Sequence, residues 1–449
     1  MMSDVVGYES DVSPLEEIER LALEVANDRN ISPDESQGNE VLRGIVREIV
    51  EQWRADYRRG IRRVDLSEPE VIAERALSNL TGYGPLATLL EDDDVWEIML
   101  NAPDQIFVKR HKGPSGYHHE AFHDDEHVLR TMTRIVDRSS GAHRALDPTA
   151  GLQDAQLDNG SRLHIVHGDI ARGGHMIVNI RKFTGMSFRS LDELVSSETV
   201  TVDGANFLKA CVQSSLSMVF AGVPGAGKTT LLSCCAAELD PTLRVVVAEE
   251  VFEADVPLPN VASMQTRGGR PDRPGIDLRS LVGGFLRMAP DVAIVGEVRD
   301  REALPLMMTL SSGVTGFTTI HAGSARQALT RLRFVCQLAE TSSDIPMAAL
   351  NDLVSQAVDV VVHTVRTPKG PRVNQIACVE DLTSTAGSTS FTMTEVFRRD
   401  PHTGVLEWTG QIPQRAAEQM ASMGIDIRTV LPNSGSMPQA QVSRAGVAT

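Results

Sequence analysis

The run Gly222-Val223-Pro224-Gly225-Ala226-Gly227-Lys228-Thr229 constrains this chain more than any other feature. It fits G-x-x-x-x-G-K-[ST] in full, follows the apolar stretch Ser217-Met218-Val219-Phe220 and opens a helix-forming stretch over 228–239. The glycines let successive backbone N–H groups close around a β-phosphate, with the positive end of the following helix behind them. Lys228 then neutralises the β- and γ-phosphates, and the Thr229 hydroxyl ligates Mg²⁺. Gly222 through Thr230 are thus expected to form a nucleotide site, with ATP and Mg²⁺ as cofactors.

A regular alternation surrounds that run. Strands are expected at 216–221, 244–248, 261–266, 292–298 and 317–321, and helices at 228–239, 278–288, 302–312 and 325–339. Such alternation implies a mostly parallel sheet covered on both faces, hence an α/β fold.

Several chemistry-bearing residues fall at the strand ends. Glu297 closes the strand Val292-Ala293-Ile294-Val295, at the end of what is expected to be a neighbour of the phosphate-loop strand. A carboxylate there points at the nucleotide crevice. Glu249, Glu250 and Glu253 follow the strand Val245-Val246-Val247, and one of them could orient the attacking water. His321 ends Thr318-Thr319-Ile320 and could contact or sense the γ-phosphate, although a strand-end histidine alone is more often structural. Arg267, Arg270, Arg273, Arg279 and Arg287 cluster between the acidic run and Glu297. In an oligomer some of them could reach a neighbour's γ-phosphate.

The chain of 449 residues exceeds one ordinary core. Residues 1–38 read as an acidic flexible arm with at most one helix, and 39–92 as a helical region interrupted at Gly82-Tyr83-Gly84-Pro85. Strands at 95–100, 105–108, 162–166 and 176–180, with a helix at 128–136, make 93–185 a small α/β domain. A linker is expected at 186–203, the phosphate-loop domain with a C-terminal extension at 204–431, and a disordered tail at 432–449.

Composition narrows the function. A net charge of −17 weighs against direct nucleic-acid binding, which wants a basic face. No apolar run approaches the roughly 18–20 residues that span a bilayer, and the acidic start is unlike a signal peptide, so a cytoplasmic location is expected. Five cysteines lack C-x-x-C spacing and are expected to be reduced and buried, which leaves no four-cysteine zinc module. His119, His123 and His127 have i, i+4, i+8 spacing, but the proline, glycine and acids around them favour a loop over a metal-binding helix.

The ordered set GVPGAGKTT, AEEVFE, the arginine stretch, APDVAIVGEVRD and GFTTIHAGSARQAL resembles the secretion ATPase superfamily that serves type II and type IV secretion and pilus assembly. With the front segments GYGPL, DVWEIMLNAPDQIFVKR, DNGSRLHI and IRKF, the pattern is most similar to the CpaF-type branch of tight-adherence (Tad, or Flp) pili. That resemblance covers about residues 78–400. It implies a RecA-like P-loop motor domain behind a small PAS-like α/β domain and a helical extension. A hexameric cytoplasmic ring and a polytopic inner-membrane platform partner are implied too. By matching position it gives Glu297 the second-motif role, acting on Mg²⁺ through water, Glu253 the water-polarising role, Glu249 and Glu250 the first acidic pair, and His321 the histidine-box role. Arg162 and Arg181 become front-domain arginines able to approach nucleotide. The acidic box departs from the usual pattern in carrying Glu250 where an Asp is common and Ala248 where a larger aliphatic is common.

Overall fold

The structure is a computed structural model that describes residues 13–29, 31, 36–110, 113–138, 146, 149, 151–157, 160–182, 188–267, 274–338, 345–381 and 391–432. The chain divides into two units, Met1–Thr184 and Gly185–Thr449.

The first unit opens with helices α1 (Pro14–Asp28), α2 (Ser36–Arg58) and α3 (Pro69–Thr81). The chemistry that starts α1 is local: the Ser13 hydroxyl accepts the Glu16 N–H at 3.2 Å, Pro14 sits at the first helical position, and Glu16 and Glu17 face the positive helix end. The acidic arm, for which at most one helix is expected, carries α1, and Ile18, Ala22 and Ala26 bury that helix against Leu42, Ile45, Val46 and Trp53 of α2 and Ala73, Ala76 and Leu77 of α3. After α3 the chain breaks at Gly82, as its glycines and proline predict, and resumes as α4 (Ala87–Glu91).

The strands β1 (Val95–Ala102), β2 (Gln105–Arg110) and β3 (Gly116–His118) precede α5 (Asp125–Arg138), and β4 (Leu152–Gln156), β5 (Arg162–Val166) and β6 (Ile177–Arg181) follow it. They form one six-stranded antiparallel sheet in the order β3-β2-β1-β6-β5-β4. Ile98, Leu100, Leu163, Ile165, Val178 and Ile180 recur at every second position and share a core with Val128, Met132 and Ile135 of α5.

His119 and His123 lie before α5, and only His127 lies on it, so the three do not share a helix. His123 Nε2 instead sits 3.1 Å from the buried Glu19 carboxylate, whose hydrogen bond raises the histidine's pKa against burial. His127 is buried and held down to about 3 by that burial. Among the described residues no group of three or more His, Cys, Asp or Glu side chains could hold a metal ion.

The second unit begins with α6 (Leu191–Ser196) and α7 (Val202–Gln213). The stretch expected as a linker is thus partly helical, because Leu191 and Leu194 are buried in this unit's core. There follow β7 (Met218–Gly222), α8 (Lys228–Ala236), β8 (Val245–Glu249), β9 (Val261–Gln265), α9 (Leu278–Gly283), β10 (Val292–Val295), α10 (Ala303–Ser311), β11 (Thr315–Ile320), α11 (Ala325–Leu338) and α12 (Met347–Ala357). The expected helix over 278–288 stops at Gly283-Gly284 and continues as a 3-10 turn, Phe285–Met288.

Beyond α12 come β12 (Val360–Thr367), β13 (Gly370–Val379), β14 (Met393–Arg399), β15 (Leu406–Trp408), α13 (Gln414–Ser422) and α14 (Ile427–Val430), none of which the sequence signals mark out. The nine strands run β15-β14-β13-β12-β7-β11-β10-β8-β9, parallel from β12 to β9 and antiparallel from β12 outward to β15.

The period of two decides which layer each strand residue joins. Met218 and Phe220 face the layer of α6, α7, α8, α13 and α14, whereas Val219 and Ala221 face that of α9, α10, α11 and α12. Burial on both sides is why β7, β8 and β10 read as unbroken apolar runs. All five cysteines are free and buried, and desolvation raises each of those thiols whose shift is resolved. No helix among the described residues is long and apolar enough to cross a membrane.

Candidate functional site: a P-loop at the strand ends of the second unit

The sheet order corrects one expectation. β10 does not neighbour the phosphate-loop strand; β11 lies between β7 and β10. With β12, β7, β11, β10 and β8 side by side, the strand ends near Gly222, His321 and Glu297 stand in line.

At the end of β7 the loop turns through Gly225 (φ +71°) and Gly227 (φ +79°), left-handed conformations that favour glycine. Lys228 starts α8, so its backbone and those of Thr229 and Thr230 lie in the first turn, where N–H groups lack intrahelical partners. The Lys228 side chain is buried to 8% exposure, and its ammonium donates to the Val223 carbonyl at 3.2 Å. It also lies 3.4 Å from His321 Nδ1.

His321 links the strand ends. Its Nδ1 is 3.2 Å from the Gly222 carbonyl, and its Nε2 is 3.0 Å from Glu297 Oε1. Nδ1 can donate to Gly222 only when protonated and can accept from Lys228 only when not, so one proton decides which side of the loop His321 holds. Burial would raise the Glu297 carboxyl, but the His321 hydrogen bond and the His321, Arg299 and Lys228 charges outweigh it and bring it to about 2. Glu297 is thus held as an ionised carboxylate just beyond the end of β10.

The three acids at and beyond the end of β8 have different surroundings. Glu249 is buried at 2% exposure, and its Oε1 accepts the Glu253 and Ala254 N–H groups at 3.0 and 2.9 Å. Gly296 makes room for it, since a Cβ there would lie 2.9 Å from Glu249 Cγ. Glu249 therefore shapes the loop that carries Glu253. Glu250 forms an ion pair with Arg299, which also lies 3.9 Å from Glu297. Arg299 was not singled out from sequence, where it reads as an ordinary surface charge in VRD.

The other arginines are distributed more widely. The Arg267 backbone bridges Ile276, and its guanidinium donates to the Pro274 carbonyl at 3.0 Å. Arg279 stands in the first turn of α9, and Arg287 is exposed in the following 3-10 turn. Arg270 and Arg273 lie outside the described residues. Arg162 and Arg181 belong to the first unit, where they are directly opposite on β5 and β6.

A second support for the loop comes from β12 and β13, unmarked in the sequence. A Cβ on Gly222 would lie 2.5 Å from the Thr364 carbonyl oxygen, and one on Gly227 would lie 3.0 Å from Pro371 Cβ. Arg366 Nη1 donates to the Gly225 carbonyl at 3.2 Å. Each motif glycine therefore meets this hairpin. Turning the Gly225 carbonyl toward Arg366 leaves the loop's N–H groups for an anion. Arg366→Ala is expected to weaken ATP binding about fivefold, the effect of about one hydrogen bond, and Arg366→Lys to recover part of it. Calorimetric titration checks this, and unchanged affinity in Arg366→Ala would show that the hairpin does not position the loop.

The family model described as Type II/IV secretion system protein matches residues 79–407. The conjugal transfer protein TrbB of Rhizobium radiobacter is 29% identical over 321 residues, covering 66% of this chain and 87% of that protein. The type IV secretion system protein PtlH of Bordetella pertussis is 29% identical over 300 residues, covering 61% and 86%. Among solved structures, the ATPase DotB of Yersinia pseudotuberculosis aligns with 15% identity and a TM-score of 0.45 over 66% of this chain and 78% of that one. With the family match running through the front sheet, the phosphate loop and the strands beyond it, the chain belongs to the Type II/IV secretion system protein family.

Proposed function

We propose that the protein is a motor that hydrolyses ATP, using Mg²⁺, to drive a secretion or pilus-assembly machine. The observation that carries this reading is the convergence of Lys228, at the start of α8, with His321 and Glu297 after β11 and β10, His321 lying within hydrogen-bond or ion-pair range of both. Residues 222–230 would wrap the phosphates, with Thr229 and Glu297 on Mg²⁺. Glu253, on the loop shaped by Glu249, would polarise the attacking water. His321, touching both Lys228 and Glu297, would register the loss of the γ-phosphate.

In this reading the motor works in the cytoplasm as a homo-oligomeric ring, a hexamer, and pushes on a polytopic inner-membrane platform protein. The ordered boxes and front segments favour a Tad-type pilus as its machine. A second reading, conjugal transfer, is favoured by the relatives, one of which is a conjugal transfer protein 29% identical to this chain. Deleting the gene and restoring it with or without Lys228→Ala separates the two: loss of surface pili supports the first, loss of plasmid transfer the second.

The ring is tested through the arginines. Arg267, Arg270, Arg273 or Arg279 would stabilise transition-state charge on a neighbouring subunit's nucleotide. Specific activity should rise with protein concentration as rings form. Mixing an arginine-to-alanine subunit with Lys228→Ala should restore part of it. Concentration-independent hydrolysis by a species that light scattering shows to be monomeric would end the ring reading.

A further inference from the structure

The end of α2 carries Arg54-Ala55-Asp56-Tyr57-Arg58-Arg59-Gly60-Ile61-Arg62-Arg63-Val64, five arginines and one acid in a chain whose net charge is −17. Its backbone is held in one shape. Gly60 takes φ +74°, its N–H donates to the Tyr57 carbonyl at 2.9 Å, and the Ile61 N–H donates to the Asp56 carbonyl at 2.9 Å. This pair of bonds is a Schellman helix end, in which the residue after the glycine often folds an apolar side chain back onto the last turn. Ile61 does not do so. It is 63% exposed, and Val64 and Tyr57 beside it are 52% and 39% exposed.

The turn is braced from beneath. Trp53 is buried, its Nε1 donates to the Val64 carbonyl at 2.9 Å, and the Arg62 guanidinium lies 4.0 Å over its ring. Arg54 pairs with Glu51, and Arg62 lies 3.8 Å from Glu17. Arg58, Arg59 and Arg63 are exposed and form no ion pair within the described residues. The surface is thus a hydrogen-bonded turn whose exposed aliphatic residues, Ile61 and Val64, are flanked along the chain by exposed arginines.

We propose that this turn docks on an anionic lipid bilayer, with Ile61 and Val64 entering the headgroup boundary and Arg58, Arg59 and Arg63 meeting lipid phosphates. Arginine stems lie along apolar surface while their heads stay with phosphate, and an aliphatic side chain gains by leaving water for the acyl boundary. Because the turn is already ordered, little conformational freedom is lost on docking. A nucleic-acid backbone would engage the same arginines but has nothing to offer Ile61, so the exposed aliphatic side chain favours lipid.

Flotation of the full chain with vesicles tests the surface. Binding to phosphatidylcholine vesicles containing one-third phosphatidylglycerol should exceed binding to phosphatidylcholine alone by about tenfold or more, and should weaken as salt is added. Reversing Arg58, Arg59 and Arg63 to Glu should remove that preference. Ile61→Asp should lower binding by about fivefold, while Ile61→Leu keeps it. These positions are exposed, so thermal unfolding should barely change, and Ile61→Asp remains decisive if the triple variant does not fold. Equal binding to both kinds of vesicle overturns the proposal. So does an Ile61→Asp protein that binds like the parent. If short duplex DNA binds instead, and the arginine reversal abolishes that binding, the turn is a nucleic-acid contact.

Discussion

Lys228→Ala is expected to lower ATP hydrolysis by at least about a hundredfold. The side chain is almost fully buried at the mouth of the loop, where its charge meets the Val223 carbonyl and His321, with Glu297 beyond the histidine. A cation held there on protein acceptors can turn to the β- and γ-phosphates without first being stripped of bulk water, and alanine supplies no charge at all. Stability should change far less, by about 1 kcal/mol, the worth of a hydrogen bond such as the one to the Val223 carbonyl. Steady-state phosphate release and thermal unfolding, measured on the same preparation, separate the two effects. Activity within a factor of two of the parent would falsify the proposed site.

Glu253→Gln should separate binding from chemistry. Glutamine keeps the size and hydrogen-bonding reach of the side chain and removes the negative charge that polarises water, so ATP should bind near-normally while turnover falls by about 10²–10⁴. The structure sharpens the choice among the three acids at and beyond the end of β8. The Glu249 carboxylate already accepts two backbone N–H groups, and Glu250 is engaged with Arg299. Glu250→Gln should therefore have the smaller effect on turnover, through Arg299 and its neighbour Glu297. Single-turnover hydrolysis beside equilibrium nucleotide binding measures both quantities. Loss of turnover in Glu250→Gln with Glu253→Gln still active would move the role to Glu250.

The readable parts of this chain are those governed by short-range rules. The phosphate loop needs its glycines at fixed offsets because two of them adopt positive φ, and a run such as Val245-Val246-Val247-Ala248 announces a strand because both faces are buried. Signals failed where context supplied the structure. The short strand β3, exposed apart from its last residue, lacks a strong apolar alternation. The helix α6 is only six residues long and is stabilised by burying Leu191 and Leu194 rather than by propensity. The stretch beyond α12 carries no motif that marks its strands, although it contributes four of them to the larger sheet.

By itself, then, the sequence determined that there is a P-loop, that it sits between an apolar strand and a helix, and that acids and a histidine follow later strands. Those facts depend on residue identity and local conformation. Which strands stand beside one another was decided only in three dimensions, because strand order depends on long-range pairing that no window of sequence contains. That order inserts β11 between β7 and β10 and so brings His321 between Lys228 and Glu297. It also folds the β12–β13 hairpin onto the loop, where Arg366 reaches Gly225 across 141 residues of chain. A side chain's partner there is set by the packing of whole layers, and Arg299 and Arg366 look like any other surface arginine until those layers are assembled.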